Sequence, residues 1–277
     1  MKKQPANYFF CVLVICAVIS SCKKDDLWKD LSLNLEQNNA FIENEMDQSS
    51  IFSDEAYSSG VIKSDFSGSE LDIRHNCAQL TIDTLNESHK ITIDFGTENC
   101  LGRDDRFRRG KIIVDWKGQY RKLNSTHTIT FSDYHVNGIK IEGTRTVTNA
   151  GKDQYENTFF TISNSGKFTL TDGTVYEHQS SRIRTWTAGA DTYLIWDDEY
   201  KITGTASLSN NKGQSLAAEI TTPLHIALTC GNIKAGIIEF TVNPGPFSER
   251  ILDYGNGNCD DQATVTVGGN TRAITLR

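Results

Sequence analysis

From Leu71 onward, apolar and polar residues alternate with a period of two and are interrupted at short intervals by turn residues, the pattern of half-buried β-strands. Strands are expected at Cys77–Asp83, His89–Phe95, Lys111–Tyr120, Ser125–Val136 and Ile139–Thr148. Tyr155–Ser163, Lys167–Thr171, Thr174–Thr187, Trp196–Leu208 and Gln214–Ile220 follow. Pro223–Thr229, Gly236–Val242, Arg250–Tyr254, Ala263–Val267 and Arg272–Leu276 complete the run. Asn137-Gly138 is a strong hairpin signal, but two registers fit it. A two-residue turn pairs Tyr134 with Ile141, whereas one extra bulge residue pairs Ile129 with Val147, and a slip of one reverses every face. Regular strands joined by short turns predict an all-β antiparallel meander, either a barrel or a sandwich. Thr and charged residues on both alternations leave no apolar band of the kind a membrane barrel needs.

Ahead of the strands, Phe41, Ile42, Met46, Phe52, Ala56 and Tyr57 recur at loosely helical spacing, so a short amphipathic helix is expected within residues 35–58, lying on the body. The surrounding stretch, residues 22–69, is rich in Asn, Ser, Asp and Glu and reads as an acidic tether whose first third is a disordered spacer. At the start, Lys2 and Lys3 precede the apolar run Tyr8–Ile19, which is well short of the ~20 residues that span a bilayer. Residues 1–21 therefore read as a signal peptide, and residues 70–277 as the β domain.

The apolar run ends in Ile19-Ser20-Ser21-Cys22, which resembles a bacterial lipobox. That resemblance implies cleavage before Cys22, a diacylglycerol thioether on its sulfur and a further acyl chain such as palmitate on its new amino group. Several acyl chains hold a protein durably to a membrane where one does not. Lys23-Lys24-Asp25-Asp26 is similar to the export signal of surface lipoproteins in the Bacteroidota, which implies the outer membrane and its outward face.

Charge adds to this. The chain carries a net −7, and loss of Lys2 and Lys3 with the signal peptide leaves −9. Two-thirds of that acidity lies between Cys22 and Ser69, so the body is nearly neutral. Such a balance argues against nucleic-acid partners, and the acidic tether stands off anionic headgroups.

Once Cys11 and Cys16 leave with the signal peptide and Cys22 is acylated, four cysteines remain, which in an exported chain read as two disulfides. Two stretches share the pattern of a cysteine, a hairpin and then D-[FY]-G-x-x-N-C: Cys77 with Asp94 to Cys100, and Cys230 with Asp253 to Cys259. A residue just before the first strand of a hairpin lies opposite one just after the second, which predicts Cys77–Cys100 and Cys230–Cys259. A fainter echo, Lys140-Ile-Glu-Gly-Thr144 against Lys201-Ile-Thr-Gly-Thr205, suggests an internal duplication.

Candidate chemistry is sparse. Asp253, Asn256, Asn258, Asp260 and Asp261 place hard oxygens around a Gly-rich turn and are weak candidates for structural calcium, although Asx side chains capping their own turn explain them as well. Asp94, Glu98, Asp104 and Asp105 in the first copy lie among Arg103, Arg106, Arg108 and Arg109, which compensate their charge. Of the six histidines, His127 and His135 are expected on one strand face, too far apart to share a metal. Trp116, Tyr120, Tyr134, Tyr176, Trp186, Tyr193, Trp196 and Tyr200 read first as core and second as a stacking platform for sugar. Asp197-Asp198-Glu199 alternate across a strand, and no G-x-S-x-G, P-loop or H-E-x-x-H motif occurs.

Cys77 to Arg277 resembles lipoproteins of the Bacteroidota that carry similar D-F-G and D-Y-G-x-G-x-C segments, a resemblance that brings no activity with it. The reading is a non-enzymatic, lipid-anchored module of the outer membrane that binds a glycan or an envelope protein, without a cofactor. A polysaccharide or peptidoglycan hydrolase and a subunit of an outer-membrane assembly are the alternatives.

Overall fold

The computed structural model describes residues 33–63, 78–83, 89–102, 104–118, 122–192, 197–230, 232–245 and 247–276, which belong to one compact unit running from Leu33 to Arg277. The signal peptide, Cys22, the Lys23–Asp26 cluster, Cys77, Tyr120, Tyr193 and Trp196 lie outside the described residues. One helix, α1 (Asn34–Lys63), is followed by strands β1 (Gln79–Asp83), β2 (His89–Asp94), β3 (Cys100–Leu101), β4 (Phe107–Lys117), β5 (Thr126–Val136), β6 (Ile139–Lys152) and β7 (Thr158–Thr169). Then come β8 (Val175–Ala188), β9 (Glu199–Asn210), β10 (Ser215–Ala227), β11 (Ala235–Asn243), β12 (Glu249–Asn256), β13 (Gln262–Val267) and β14 (Asn270–Thr275).

The antiparallel meander predicted from the alternation is the fold: each strand pairs with the next in sequence, with the two-residue β3 set aside against β4. Of the two forms expected, the closed barrel is excluded. The sheet is open, since among the described residues no pairing joins β14 to β1.

Two predicted breaks are continuous strand. Asn164-Ser165-Gly166 looks like a turn but lies inside β7, where Asn164 is buried and the missing Cβ of Gly166 leaves room for Met46 of the helix. Pro223 interrupts nothing either, because β10 carries a bulge between Ile220 and Leu224 and a proline there removes no ladder hydrogen bond.

Asn137-Gly138 makes the two-residue turn, pairing Tyr134 with Ile141. A bulge between Thr130 and Tyr134 then adds one residue to β5, so Ile129 faces Arg145 and Val147 faces His127. Because of that extra residue, His127 and His135 pair with Val147 and Lys140, seven residues apart on β6, and so lie on opposite faces rather than on the shared face expected.

The helix is the axle of the fold. Its buried positions, from Phe52 and Glu45 through Ile42 and Met46 to Asn39 and Ser50, span about 160° of its circumference at ~100° per residue. Glu36 meets Arg250 on β12, while Phe52 meets Arg108 on β4. Those helix positions are ~24 Å apart at ~1.5 Å per residue, whereas eight strand spacings of ~4.8 Å cover ~38 Å on a flat sheet. The sheet therefore curls about the helix, and its inner face, the helix and one contiguous apolar core occupy the same space.

The K-I-x-G-T echo has a structural cause in this curvature. Gly143 on β6 and Gly204 on β9 both lie at positive φ, +132° and +126°. A Cβ there would stand 2.2 Å from the Ser165 carbonyl oxygen and 2.1 Å from that of Ser181. Only glycine lets the neighbouring backbone approach so closely at a bend.

Candidate functional site

Because the strands alternate in direction, the sheet has two ends. The end carrying Asn137-Gly138 and Asp172-Gly173 is covered by the helix, and the contact is charged. The Glu36 carboxylate meets Arg250, Glu43 accepts from His178 Nε2 at 3.2 Å and from Arg182 at 3.0 Å, Glu45 meets Arg106, and Asp47 accepts from Arg145 at 2.6 Å. Arg145 is buried and also donates to Ser50 Oγ and to Asn164 Oδ1, and Asn164 passes the chain on to Ser180. Arg108 donates both outer nitrogens to Asp104 and lies over the Phe52 ring.

Burial raises the proton affinity of Glu43, but the hydrogen bond from His178 and the charges of Arg182 and Arg145 outweigh it and bring its pKa down to about 2. At Glu45 burial prevails over Arg106 and Arg108, and its pKa is raised. The seam is also incompletely satisfied: Glu36 Oε2, Asn39 Oδ1, Arg108 Nε, His178 Nδ1 and Arg182 Nη1 are buried without partners. Sequence reasoning missed this seam, because a charged residue on a strand ordinarily marks the wet face. The one legible signal is that Glu36, Glu43 and Asp47, spaced by seven and four, share one helical stripe.

The other end of the inner face is aromatic. Val147, Phe160, Ile162 and Trp186, with Tyr200 packed on them, form a second apolar cluster that contains no described helix residue. Beside it, Trp116 and His127 are in ring contact. Arg184 lies between two rings, its guanidinium carbon 5.0 Å from the centroids of both Phe160 and Tyr200. The buried Asp198 accepts from Trp186 Nε1 at 3.2 Å and from the Tyr200 hydroxyl at 2.8 Å, and so fixes both rings. Burial, aided by the charge of Arg184, brings the His127 pKa down to about 3.

The residues singled out in the sequence fall as follows. Cys230 and Cys259 are bonded, with Cα atoms 5.7 Å apart. Cys100 is also disulfide-bonded, and its expected partner Cys77 lies outside the described residues. Both D-[FY]-G segments make the same local structure. Asp94 Oδ1 accepts from Gly96 N at 2.9 Å and Asp253 Oδ1 from Gly255 N at 2.8 Å, while Phe95 and Tyr254 are buried in the core.

Of the calcium candidates, Asp253 and Asp260 cap backbone N–H groups in their own turns and Asp261 accepts from the Gln262 side chain. Among the described residues no group of three or more His, Cys, Asp or Glu is placed to hold a metal ion. Trp116, Tyr134, Tyr176 and Trp186 are buried in the interior rather than laid out as a platform. Asp197 accepts from Thr192, and Glu199 Oε2 lies 2.8 Å from His225 Nε2, so the carboxylates of Asp197-Asp198-Glu199 have separate partners. The exposed large apolar residues that are described lie in small groups: Leu101 pairs with Phe107, and Phe247 and Ile251 line a shallow groove of about 400 Å³.

Fold and site together define an open antiparallel meander curled around a helix that precedes the strands, held by a seam of partly buried ion pairs and stapled by cystine. No known family, curated protein or solved structure matches the chain. Among the described residues no helix is long and apolar enough to cross a membrane, which says nothing of spanning by strands.

Proposed function

We propose that the chain is a lipid-anchored module of the outer membrane, held through acylated Cys22 at the cell surface, and that it acts by binding a glycan or an envelope partner rather than by catalysis. The observation that carries this reading is the charged seam. Four helix carboxylates, at Glu36, Glu43, Glu45 and Asp47, meet cationic side chains of the strands and the β3–β4 connection, so the helix within the tether segment is fixed to the body at both flanks. A pull applied at Cys22 is thereby transmitted to the whole sheet. Eleven residues lie between Cys22 and Asn34, a stretch whose reach at ~3.3–3.6 Å per extended residue is at most about 40 Å.

Along this seam carboxylates of the helix pair with arginines of the sheet, which suits a rigid scaffold better than a site that must exchange protons with a substrate. Fractionation and mass spectrometry of the mature amino terminus test the anchor. An acylated Cys22 in the membrane fraction, lost to the soluble fraction in Cys22→Ala, is the expected result. An unmodified thiol on soluble protein refutes the anchored reading. Glycan arrays and native pull-downs test the binding role, and empty results from both count against it.

A further inference from the structure

We propose that Arg184 and the rings around it form a binding site for an anionic group carried on a flat, apolar body, such as an aryl phosphate or a ring-bearing carboxylate. The proposal deepens the binding-module reading and rests on it. The arginines of the inner face differ in one respect. Arg108, Arg145, Arg182 and Arg250 each meet a carboxylate, from Asp104, Asp47, Glu43 and Glu36 respectively. Arg184 is, among the described residues, the inner-face arginine with no carboxylate at ion-pair distance and no hydrogen-bond acceptor. Its Nε is buried without a partner, and a guanidinium in that state carries the desolvation cost of its unmet donors.

The surroundings favour a planar anion. The guanidinium carbon lies 5.0 Å from the ring centroids of both Phe160 and Tyr200, and its N–H edge is a fork that matches carboxylate or phosphate oxygens two at a time. Asp198 holds Trp186 and Tyr200 by hydrogen bonds, so the walls are set before any ligand arrives. The rim suits an apolar body too. Leu123 and Tyr155, on the two turns at this same end, are 64% and 75% exposed. The helix, which supplies the anions for most of the other arginines, packs over the opposite end of the inner face.

Calorimetric titration of the full mature chain in a neutral detergent with phenyl phosphate, inorganic phosphate and benzyl alcohol tests the site. Phenyl phosphate is expected to bind at least tenfold more tightly than either of the others, because only it offers both anion and ring. Arg184→Gln should weaken it at least tenfold, and Arg184→Lys, which keeps the charge but not the fork, should fall between. Equal binding of the three probes to the unaltered protein, or equal binding of phenyl phosphate to Arg184→Gln, overturns the proposal.

Should Arg184→Gln fail to fold, the His127 imidazole resonances of the unaltered chain decide. An anion seated beside Arg184 offsets its charge and raises the His127 pKa, whereas an unmoved titration in saturating phenyl phosphate refutes the site. A chain that is acylated at Cys22 and captures a glycan or partner, yet ignores phenyl phosphate, loses this site alone. An unacylated Cys22 removes the anchored reading whatever the titration gives.

Discussion

Glu43→Gln tests the charged seam most directly. In the folded chain Glu43 has a pKa of about 2 against an ordinary value of 4.5. At ~1.4 kcal/mol for each tenfold change in proton affinity, the ionised carboxylate contributes roughly 3 kcal/mol to folding at neutral pH. Its side chain is 17% exposed, so solvent screening removes little of that. Because the folded pKa is depressed, the contribution is complete above about 4.5 and is lost as pH falls towards 2.

The substitution keeps the shape of the side chain but leaves Arg182 and His178 buried without an anion, and breaking one partner of a buried pair costs about 3–5 kcal/mol. Urea unfolding of both proteins with the disulfides intact is the assay. The variant should be less stable by ~3 kcal/mol at pH 7, and the gap should narrow to ~1 kcal/mol at about pH 2.5. A gap below ~1 kcal/mol at pH 7, or one of equal size at both pH values, refutes the reasoning. Glu45→Gln is the contrasting case. Burial raises the Glu45 pKa above its unfolded value, so its ionised form is penalised and the neutral isostere should cost less than half as much as Glu43→Gln at pH 7.

Three further outcomes are expected. Gly143→Ala and Gly204→Ala should each lower stability by about 2–4 kcal/mol in thermal unfolding, whereas Gly173→Ala, at +81° in an open turn, should cost about 1 kcal/mol; equal costs would contradict the close approach of the strands. Cys259→Ser opens a loop with a sequence separation of 29 and should remove ~3.5 kcal/mol in the chain-entropy view, measurable as a shift in the urea midpoint. His127 should stay neutral, with imidazole resonances unchanged between pH 8 and pH 4.5, since its pKa is brought down to about 3; a midpoint near 6.5 would place it in solvent.

The β architecture was legible because its cause is local. Each strand needs only a period of two and a turn residue at its end, and both can be read along the chain, as at Asn137-Gly138 and Asp172-Gly173. The Cys230–Cys259 bond was legible for the same reason, since a hairpin brings its own flanks together. The errors also have local origins. Asn164-Ser165-Gly166 has turn composition, but its residues serve the helix packed above it: Asn164 accepts from Arg145, and Gly166 makes room for Met46. The β5 bulge, one unpaired residue near Asp133, shows in the chain only as two successive polar residues, Ser132-Asp133, between Phe131 and Tyr134, and it reverses the face of His135 relative to His127.

Strand order, most turn positions, one cystine staple and the existence of a helix ahead of the sheet could thus be read from the chain alone. Where the charges go could not. Glu36, Glu43 and Asp47 are separated from Arg250, Arg182 and Arg145 by about a hundred residues or more, and no periodicity links partners that far apart. Nor could composition single out Arg184, because an arginine differs from its neighbours only by which groups the folded sheet brings within reach. Backbone pattern is set by neighbours in the chain, whereas the pairing of buried charge is set by neighbours in space.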